Sequence, residues 1–206
     1  IDYSPDVIFV IVSNPMDTMT YLTYKSLGLQ KNRIIGMGGA LDSARFKYRL
    51  SEAMNCPSSD VSAMVIGGHS DKGMVPLTSF ATRNSIPVTE FLSADRLEQV
   101  KQDTKIGGAT LTAMLGTSAW YAPGAAVSAL VHSIVCDQNK MFPCSVILEG
   151  EYGLSDLAIG VPVILGKNGV KKVVEIKLSD KEINQLKESA QGVLSTNNIL
   201  KEMNLI

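Results

Sequence analysis

The hydrophobic pattern changes period along the chain, and the changes mark its elements. Val7-Ile8-Phe9-Val10-Ile11-Val12 is an unbroken apolar, largely β-branched run, the pattern of a parallel strand buried on both faces. Ser13-Asn14-Pro15 stops it. Proline suits a first helical turn, so a helix is expected from Pro15 to about Ser26, closed by Gly28. Arg33-Ile34-Ile35-Gly36 reads as a short strand and Met37-Gly38-Gly39 as a tight bend. A helix follows from Leu41 to about Met54, stopped by Asn55-Cys56-Pro57. Val61 to Ile66 is the next strand and runs into Gly67-Gly68-His69.

Beyond His69 the segments shorten. Met74-Val75-Pro76-Leu77 and Ile86-Pro87-Val88 are broken by proline, as in edge strands or hairpin arms. Ser93 suits the cap of a helix containing Arg96, Leu97 and Val100. Gly107-Gly108 is expected to interrupt that helix before it resumes through Met114. Val127, Leu130, Val131 and Ile134 recur at helical spacing in a helix predicted from Pro123 to Asn139. Cys144–Leu148, Leu157–Leu165 and Val170–Ile176 read as antiparallel strands, the last two joined by a turn at Asn168-Gly169. Ser179-Asp180-Lys181-Glu182 has the capping-box spacing and opens a C-terminal helix. The order predicts an α/β fold in which a remnant of a doubly wound parallel sheet precedes a mixed antiparallel sheet with helices. A strand such as Val7–Val12 needs neighbours, which suggests that the chain begins inside a larger fold. Nothing before it has the layout of a secretory signal.

Composition narrows the function classes. The 206 residues can bury a real core in one or two domains, with 45% hydrophobic and 19% charged residues. A formal net charge of -1 argues against a broad basic surface for nucleic acid. No apolar run is long enough to span a bilayer. Cys56, Cys136 and Cys144 are scattered and odd in number; they fit neither a disulfide framework nor a zinc knuckle and favour a reducing, cytoplasmic setting. His69 has no second histidine or cysteine at ligand spacing, so a metal enzyme is not expected.

The candidate chemistry lies in two segments, Leu41-Asp42-Ser43-Ala44-Arg45-Phe46 and Gly67-Gly68-His69-Ser70-Asp71. Oxidising a secondary alcohol with a nicotinamide cofactor requires a base for the hydroxyl proton, a cation for the substrate carboxylate and a dry pocket for the ring. His69 suits the first role. Arg45 suits the second, because a guanidinium fork binds a carboxylate through two parallel hydrogen bonds. Asp42 precedes Arg45 by one helical turn, shares its face and could accept a proton from the second ring nitrogen of His69. Each motif also has an ordinary reading. A histidine after a strand is often structural, an Asp-x-x-Arg pair is usually a solvated salt bridge worth roughly 0.5 kcal/mol, and paired glycines often serve turns alone.

Taken together, and in this order, the segments resemble the C-terminal two-thirds of a malate dehydrogenase of the lactate-dehydrogenase-like type. The match is carried by Ser13-Asn14-Pro15-Met16-Asp17, Ile35-Gly36-Met37-Gly38-Gly39, the Asp42 and His69 segments, Met74-Val75-Pro76-Leu77, Ala119-Trp120-Tyr121-Ala122-Pro123, Glu149-Gly150-Glu151-Tyr152-Gly153, Gly160-Val161-Pro162-Val163 and Gly166-Lys167-Asn168-Gly169. It covers essentially the whole chain.

The resemblance implies a Rossmann remnant over residues 1–38 and a substrate-binding, catalytic domain over residues 39–206. It implies NAD as cofactor, malate and oxaloacetate as substrates, a tricarboxylic acid cycle role and a homo-oligomer, tetramer or dimer. His69 would be the proton donor and acceptor and Asp42 its partner. Arg45 would clamp the C1 carboxylate and Asn14 would hydrogen-bond the reacting oxygen. Val12, Asn14, Met37 and His69 would adjoin the nicotinamide, and Ser118 falls near the substrate pocket.

Ser70 stands where the family usually has glycine. The family's Gly-x-Gly-x-x-Gly phosphate loop, its ribose-binding acid and its mobile arginine loop do not occur in these residues. The chain in isolation is therefore expected to turn over little or no substrate, and Val7–Val12 to be an exposed strand edge. Lactate or another 2-hydroxy acid is the alternative substrate. A non-catalytic folding or oligomerisation module is the alternative role.

Overall fold

The computed structural model describes residues 1–206. The strands are β1 (Phe9–Ile11), β2 (Ile34–Gly36), β3 (Val61–Ser62), β4 (Val65–Gly67), β5 (Met74–Pro76), β6 (Thr82–Arg83), β7 (Ile86–Pro87), β8 (Lys140–Glu149), β9 (Ser155–Gly166) and β10 (Gly169–Val173). The helices are α1 (Met16–Leu27), α2 (Gly38–Ala53), α3 (Ala94–Leu115), α4 (Tyr121–Val135) and α5 (Asp180–Glu202). No helix is long and apolar enough to cross a membrane.

The β8–β9 hairpin is the spine. It pairs from Lys140↔Leu165 to Glu149↔Ser155, and the sheet around it has seven strands in the order β1-β2-β8-β9-β4-β5, with β10 on the far part of β9. Only β1 and β2 are parallel. Val146, Leu148, Leu157, Ile159, Val161 and Val163 of the hairpin form the main core with Ile35 and Met37, Met16 of α1, Leu41 of α2, Leu130 of α4 and Leu186 of α5. A second core, of Phe46, Leu50, Val65, Val88, Leu97 and Val100, joins the outer face of α2 to α3 and to the small sheet β3-β6-β7. Helix α2 belongs to both cores, with Leu41 in the first and Phe46 and Leu50 in the second, so the helix is packed on two sides. Phe46 is fully buried, and truncating it to alanine costs about 3–5 kcal/mol.

One row of residues crosses the sheet. Ile11 pairs with Gly36, Gly36 with Ser145, Ser145 with Gly160, Gly160 with Gly67 and Gly67 with Met74. The middle of the row, Gly36, Ser145, Gly160 and Gly67, is built of small residues because the backbones nearly touch there. A Cβ on Gly160 would lie 2.5 Å from the Gly67 carbonyl oxygen, and one on Gly36 would lie 2.8 Å from Ser145 Cβ.

Several expected boundaries move. Val61–Ile66 is two strands in different sheets, because the chain leaves β6 after Ser62 and joins β5 and β9 from Val65. Val7–Val12 contributes only Phe9–Ile11, half-buried at the sheet edge. Gly38 and Gly39 are not a bend but the first turn of α2. Gly107 and Gly108 do not interrupt α3, which is continuous to Leu115; they leave room for a neighbour described below. Helix α4 ends at Val135, and β8 starts as early as Lys140. Capping chemistry is where the sequence puts it. Ser93 Oγ accepts from Arg96 N–H, the Ser179–Glu182 box is reciprocal, and Gly28 closes α1 at φ 60°. Gly169 follows the β9–β10 turn with φ 91°, a region that favours glycine.

Candidate active site

Helix α2 and the loop after β4 build the centre of the site. Ser43 Oγ accepts the Val65 N–H at 2.8 Å, so α2 fixes the start of the strand that delivers His69. The residue before Ser43, Asp42, is buried, and its Oδ2 lies 2.6 Å from His69 Nδ1. Its other oxygen, Oδ1, accepts from Arg45 Nη1 at 3.3 Å. One buried carboxylate thus orients an imidazole and a guanidinium together. The His69 side chain is 13% exposed.

The glycines make these approaches possible. A Cβ on Gly38 would sit 2.7 Å from His69 Cβ and Cγ, and one on Gly39 would sit 2.8 Å from the Pro143 carbonyl oxygen of β8. The first turn of α2 is therefore wedged between His69 and the hairpin. On the other side, a Cβ on Gly108 would lie 3.3 Å from Arg45 Nη1. Gly108 makes space for the Arg45 side chain, and the glycine pair does not break the helix.

The electrostatics follow from this packing. Burial opposes a charge on His69, but the hydrogen bond and charge of Asp42, helped by Asp17 and opposed by Arg45, outweigh it and raise the imidazole above its ordinary value. With Nδ1 committed to a carboxylate, the neutral ring carries its proton on Nδ1 and keeps a lone pair on Nε2.

A cavity of about 700 Å³ lies against this group. Every residue singled out in the sequence lines it except Asp42, which stands behind His69 and Arg45: Val12, Asn14, Met37, Arg45, His69 and Ser118. Asn14 is exposed at the end of the β1–α1 connection, and its peptide bond to Pro15 is cis. Val12 is 42% exposed, while Met37 is buried in the cavity wall and its N–H bonds to the Ile11 carbonyl. Ser118 is exposed in the α3–α4 connection.

Sequence reasoning missed Asp17 and Ser189, which hold the His69 loop from behind, and Thr112, which shares the cavity through α3. An acid in the first turn of a helix ordinarily reads as a solvated partner of the helix dipole. Only its burial, which the local sequence does not announce, sets Asp17 apart. No group of three or more His, Cys, Asp or Glu side chains is arranged to hold a metal ion.

Residues 39–203 match the model of the lactate/malate dehydrogenase alpha/beta C-terminal domain. A malate dehydrogenase of Bacteroides thetaiotaomicron is 62% identical over 201 residues, covering 98% of this chain and 64% of that relative. The malate dehydrogenase of Flavobacterium johnsoniae is 60% identical over 201 residues, with 98% of this chain and 65% of the relative covered. Among solved structures, the malate dehydrogenase of Salinibacter ruber superposes with a TM-score of 0.94 at 42% identity, covering 97% of this chain and 65% of that one. The chain thus spans 64% of the length of the Bacteroides relative.

Proposed function

The chain belongs to the lactate/malate dehydrogenase family, and from that premise we propose that the protein is an NAD-dependent malate dehydrogenase interconverting (S)-malate and oxaloacetate. The observation that carries the reading is the Asp42–His69 pair standing beside Arg45 on one cavity. The names of relatives at 60–62% identity favour malate over other 2-hydroxy acids.

Each residue has a role that its setting suits. In malate oxidation, His69 Nε2 takes the hydroxyl proton as the C2 hydrogen leaves as hydride and the C–O bond becomes a carbonyl. The resulting imidazolium is stabilised by the Asp42 carboxylate at Nδ1. In the reverse direction the same Nε2 returns the proton. Arg45, held in orientation by Asp42, presents its guanidinium to the substrate C1 carboxylate. The Asn14 amide donates to the reacting oxygen, and Ser118 contributes a hydroxyl at the cavity rim.

The lining fits one flat apolar ring. Val12, Met37, Leu41, Met74 and Pro123 supply apolar surface beside the polar His69, Asn14 and Arg45. Val12, Asn14, Met37 and His69 would hold the nicotinamide end of NAD, which when bound supplies the hydride acceptor.

Residues 1–38 are read as part of the dinucleotide-binding unit and residues 39–206 as the substrate-binding, catalytic unit, supported by a family match that begins at residue 39. A cytoplasmic homo-oligomer is part of the same proposal; the three free cysteines suit a reducing compartment, and the apolar residues that α3 and α4 leave exposed suit a contact between copies.

Steady-state turnover of the natural polypeptide with NAD and either malate or lactate tests the reading. Malate is expected to be the better substrate, with His69→Gln lowering kcat by about 10²–10⁴-fold at an unchanged fold. Faster turnover of lactate would move the assignment to that substrate. Turnover of both acids at background would leave a non-catalytic role.

A further inference from the structure

Behind His69 lies a buried acid that the proton transfer does not use. Asp17, in the first turn of α1, is 7% exposed, and both of its oxygens are engaged. Oδ2 accepts the His69 backbone N–H at 2.7 Å, and Oδ1 accepts the Ser145 hydroxyl of β8 at 2.6 Å. The preceding N–H, of Gly68, is taken by Ser189 Oγ of α5 at 2.8 Å. The two peptide groups that follow the end of β4 are thus held by side chains of two helices and not by a neighbouring strand. Gly68 is close-packed in this cradle, since a Cβ there would meet Val193 at 3.1 Å and Asp17 Oδ2 at 3.4 Å.

An imidazole stands where its backbone and its ring contacts together place it. Asp42 holds the ring nitrogen and Gly38 lies against the ring. Asp17 holds the backbone from which the ring hangs. A smaller cavity of about 260 Å³ opens on this rear side, lined by Asp17, His69, Lys72, Glu188 and Ser189 among others.

We propose that Asp17 is a positioning residue for the dehydrogenase reaction: its carboxylate ties the His69 peptide N–H to the Ser145 hydroxyl in the middle of the sheet and so sets where the His69 ring stands between Asp42 and the substrate cavity. The inference rests on the reading of His69 as the proton carrier. Accepting on both oxygens is the bonding of a carboxylate, not of a carboxylic acid. Burial raises the Asp17 carboxyl above its ordinary value, and the Ser145 and His69 hydrogen bonds pull it only part of the way back.

The charged and titratable groups that face this pair are Asp42 and Arg45 from α2, Lys72 from the loop after His69 and Glu188 from α5. Asp17→Asn removes one negative charge from that set and keeps an oxygen to accept the His69 N–H. An imidazolium beside one fewer carboxylate gives up its proton at lower pH.

The test is the titration of the histidines by NMR in the full chain, in which His69 and His132 are the two present. Exposed His132 on α4 serves as the internal reference. With Asp17→Asn the His69 titration is expected to move down by about half a unit or more, with His132 unmoved. In the natural polypeptide, kcat is expected to fall with little change in the KM for substrate. If Asp17→Asn does not fold, Ser145→Ala reports instead: it leaves the Asp17 carboxylate with one donor fewer and its negative charge less dispersed, so the His69 titration is expected to move up by a smaller step. A His69 titration that stays in place in whichever of these variants folds would overturn the proposal and leave Asp17 a structural residue. The titration needs no turnover, so an inactive polypeptide would sink the dehydrogenase reading without touching this result.

Discussion

On one wall of the cavity, Met37 and Asp42 are about 1% exposed, and His69 is gripped through its ring by Asp42 and through its backbone by Asp17. On the facing wall, Thr112 of α3 and Ser118 of the α3–α4 connection are open, and the same stretch of chain leaves Met114 79%, Trp120 64% and Tyr121 86% exposed. The first wall is made of α1, α2 and the His69 loop, packed on the hairpin. The second is the C-terminal half of α3 and the start of α4. Proton transfer needs groups held within a fraction of an ångström, and such groups sit on elements packed from several sides. Lining the mouth of a cavity tolerates more freedom, and Thr112 and Ser118 of the open wall line it without being packed from several sides.

The sharpest way to break this contrast is to overfill the packed wall. Gly38→Ala adds a methyl 2.7 Å from His69 Cβ and Cγ. It is expected to cost about 1–3 kcal/mol in chemical denaturation, because a close-packed helix start yields poorly. The displaced imidazole should also lower turnover by about tenfold or more. A variant as stable and active as the parent would show that the first turn of α2 can shift freely.

A middle-sized effect is the pH dependence. Burial weakens the charged form of His69 and Asp42 more than restores it, so its titration lies above the ordinary histidine value. Malate oxidation needs the neutral ring and should rise as pH climbs through that raised value. Oxaloacetate reduction needs the imidazolium and should persist above the ordinary histidine value before falling. Stability has the same sign: the contribution of the His69–Asp42 pair is full below about pH 6.5 and is lost as pH rises through the folded-state value. Asp42→Asn, measured by urea denaturation across pH, should flatten that slope. An unchanged slope would assign it to other groups.

The smallest effect belongs to the open wall. Met114→Gln, at a residue 79% exposed, should change stability by less than about 0.5 kcal/mol. A larger loss in differential scanning calorimetry would mean that something covers this face in solution.

How much of this was legible in the sequence follows the same division. Caps and turns are local chemistry, so Ser93, Gly28, Asn168-Gly169 and the Ser179–Glu182 box could be read directly. The Asp42–Arg45 face follows from helical spacing, and the order of motifs pointed to His69 as its partner. What could not be read depends on contacts distant in sequence. Gly38, Gly39, Gly107 and Gly108 look like breaks, yet all sit inside helices, and at Gly38, Gly39 and Gly108 the close approach of His69, Pro143 or Arg45 accounts for the missing side chain. The split of Val61–Ile66 depends on which sheet each half joins, and an apolar run has no mark for that. Asp17 was hidden for the same reason, since its partners are His69 and Ser145.

The row of small residues across the sheet also sets an order in time. β8 and β9 are neighbours in sequence and pair along most of their length, so the hairpin can close early. β2 meets it through the single registered pair Gly36↔Ser145 and β4 through Gly67↔Gly160, each bridging a long stretch of chain. Closing long loops costs entropy before it gains contacts. The strands that lead into Met37 and His69 are therefore expected to dock after their platform, which would make the cavity geometry among the last things the folding chain acquires.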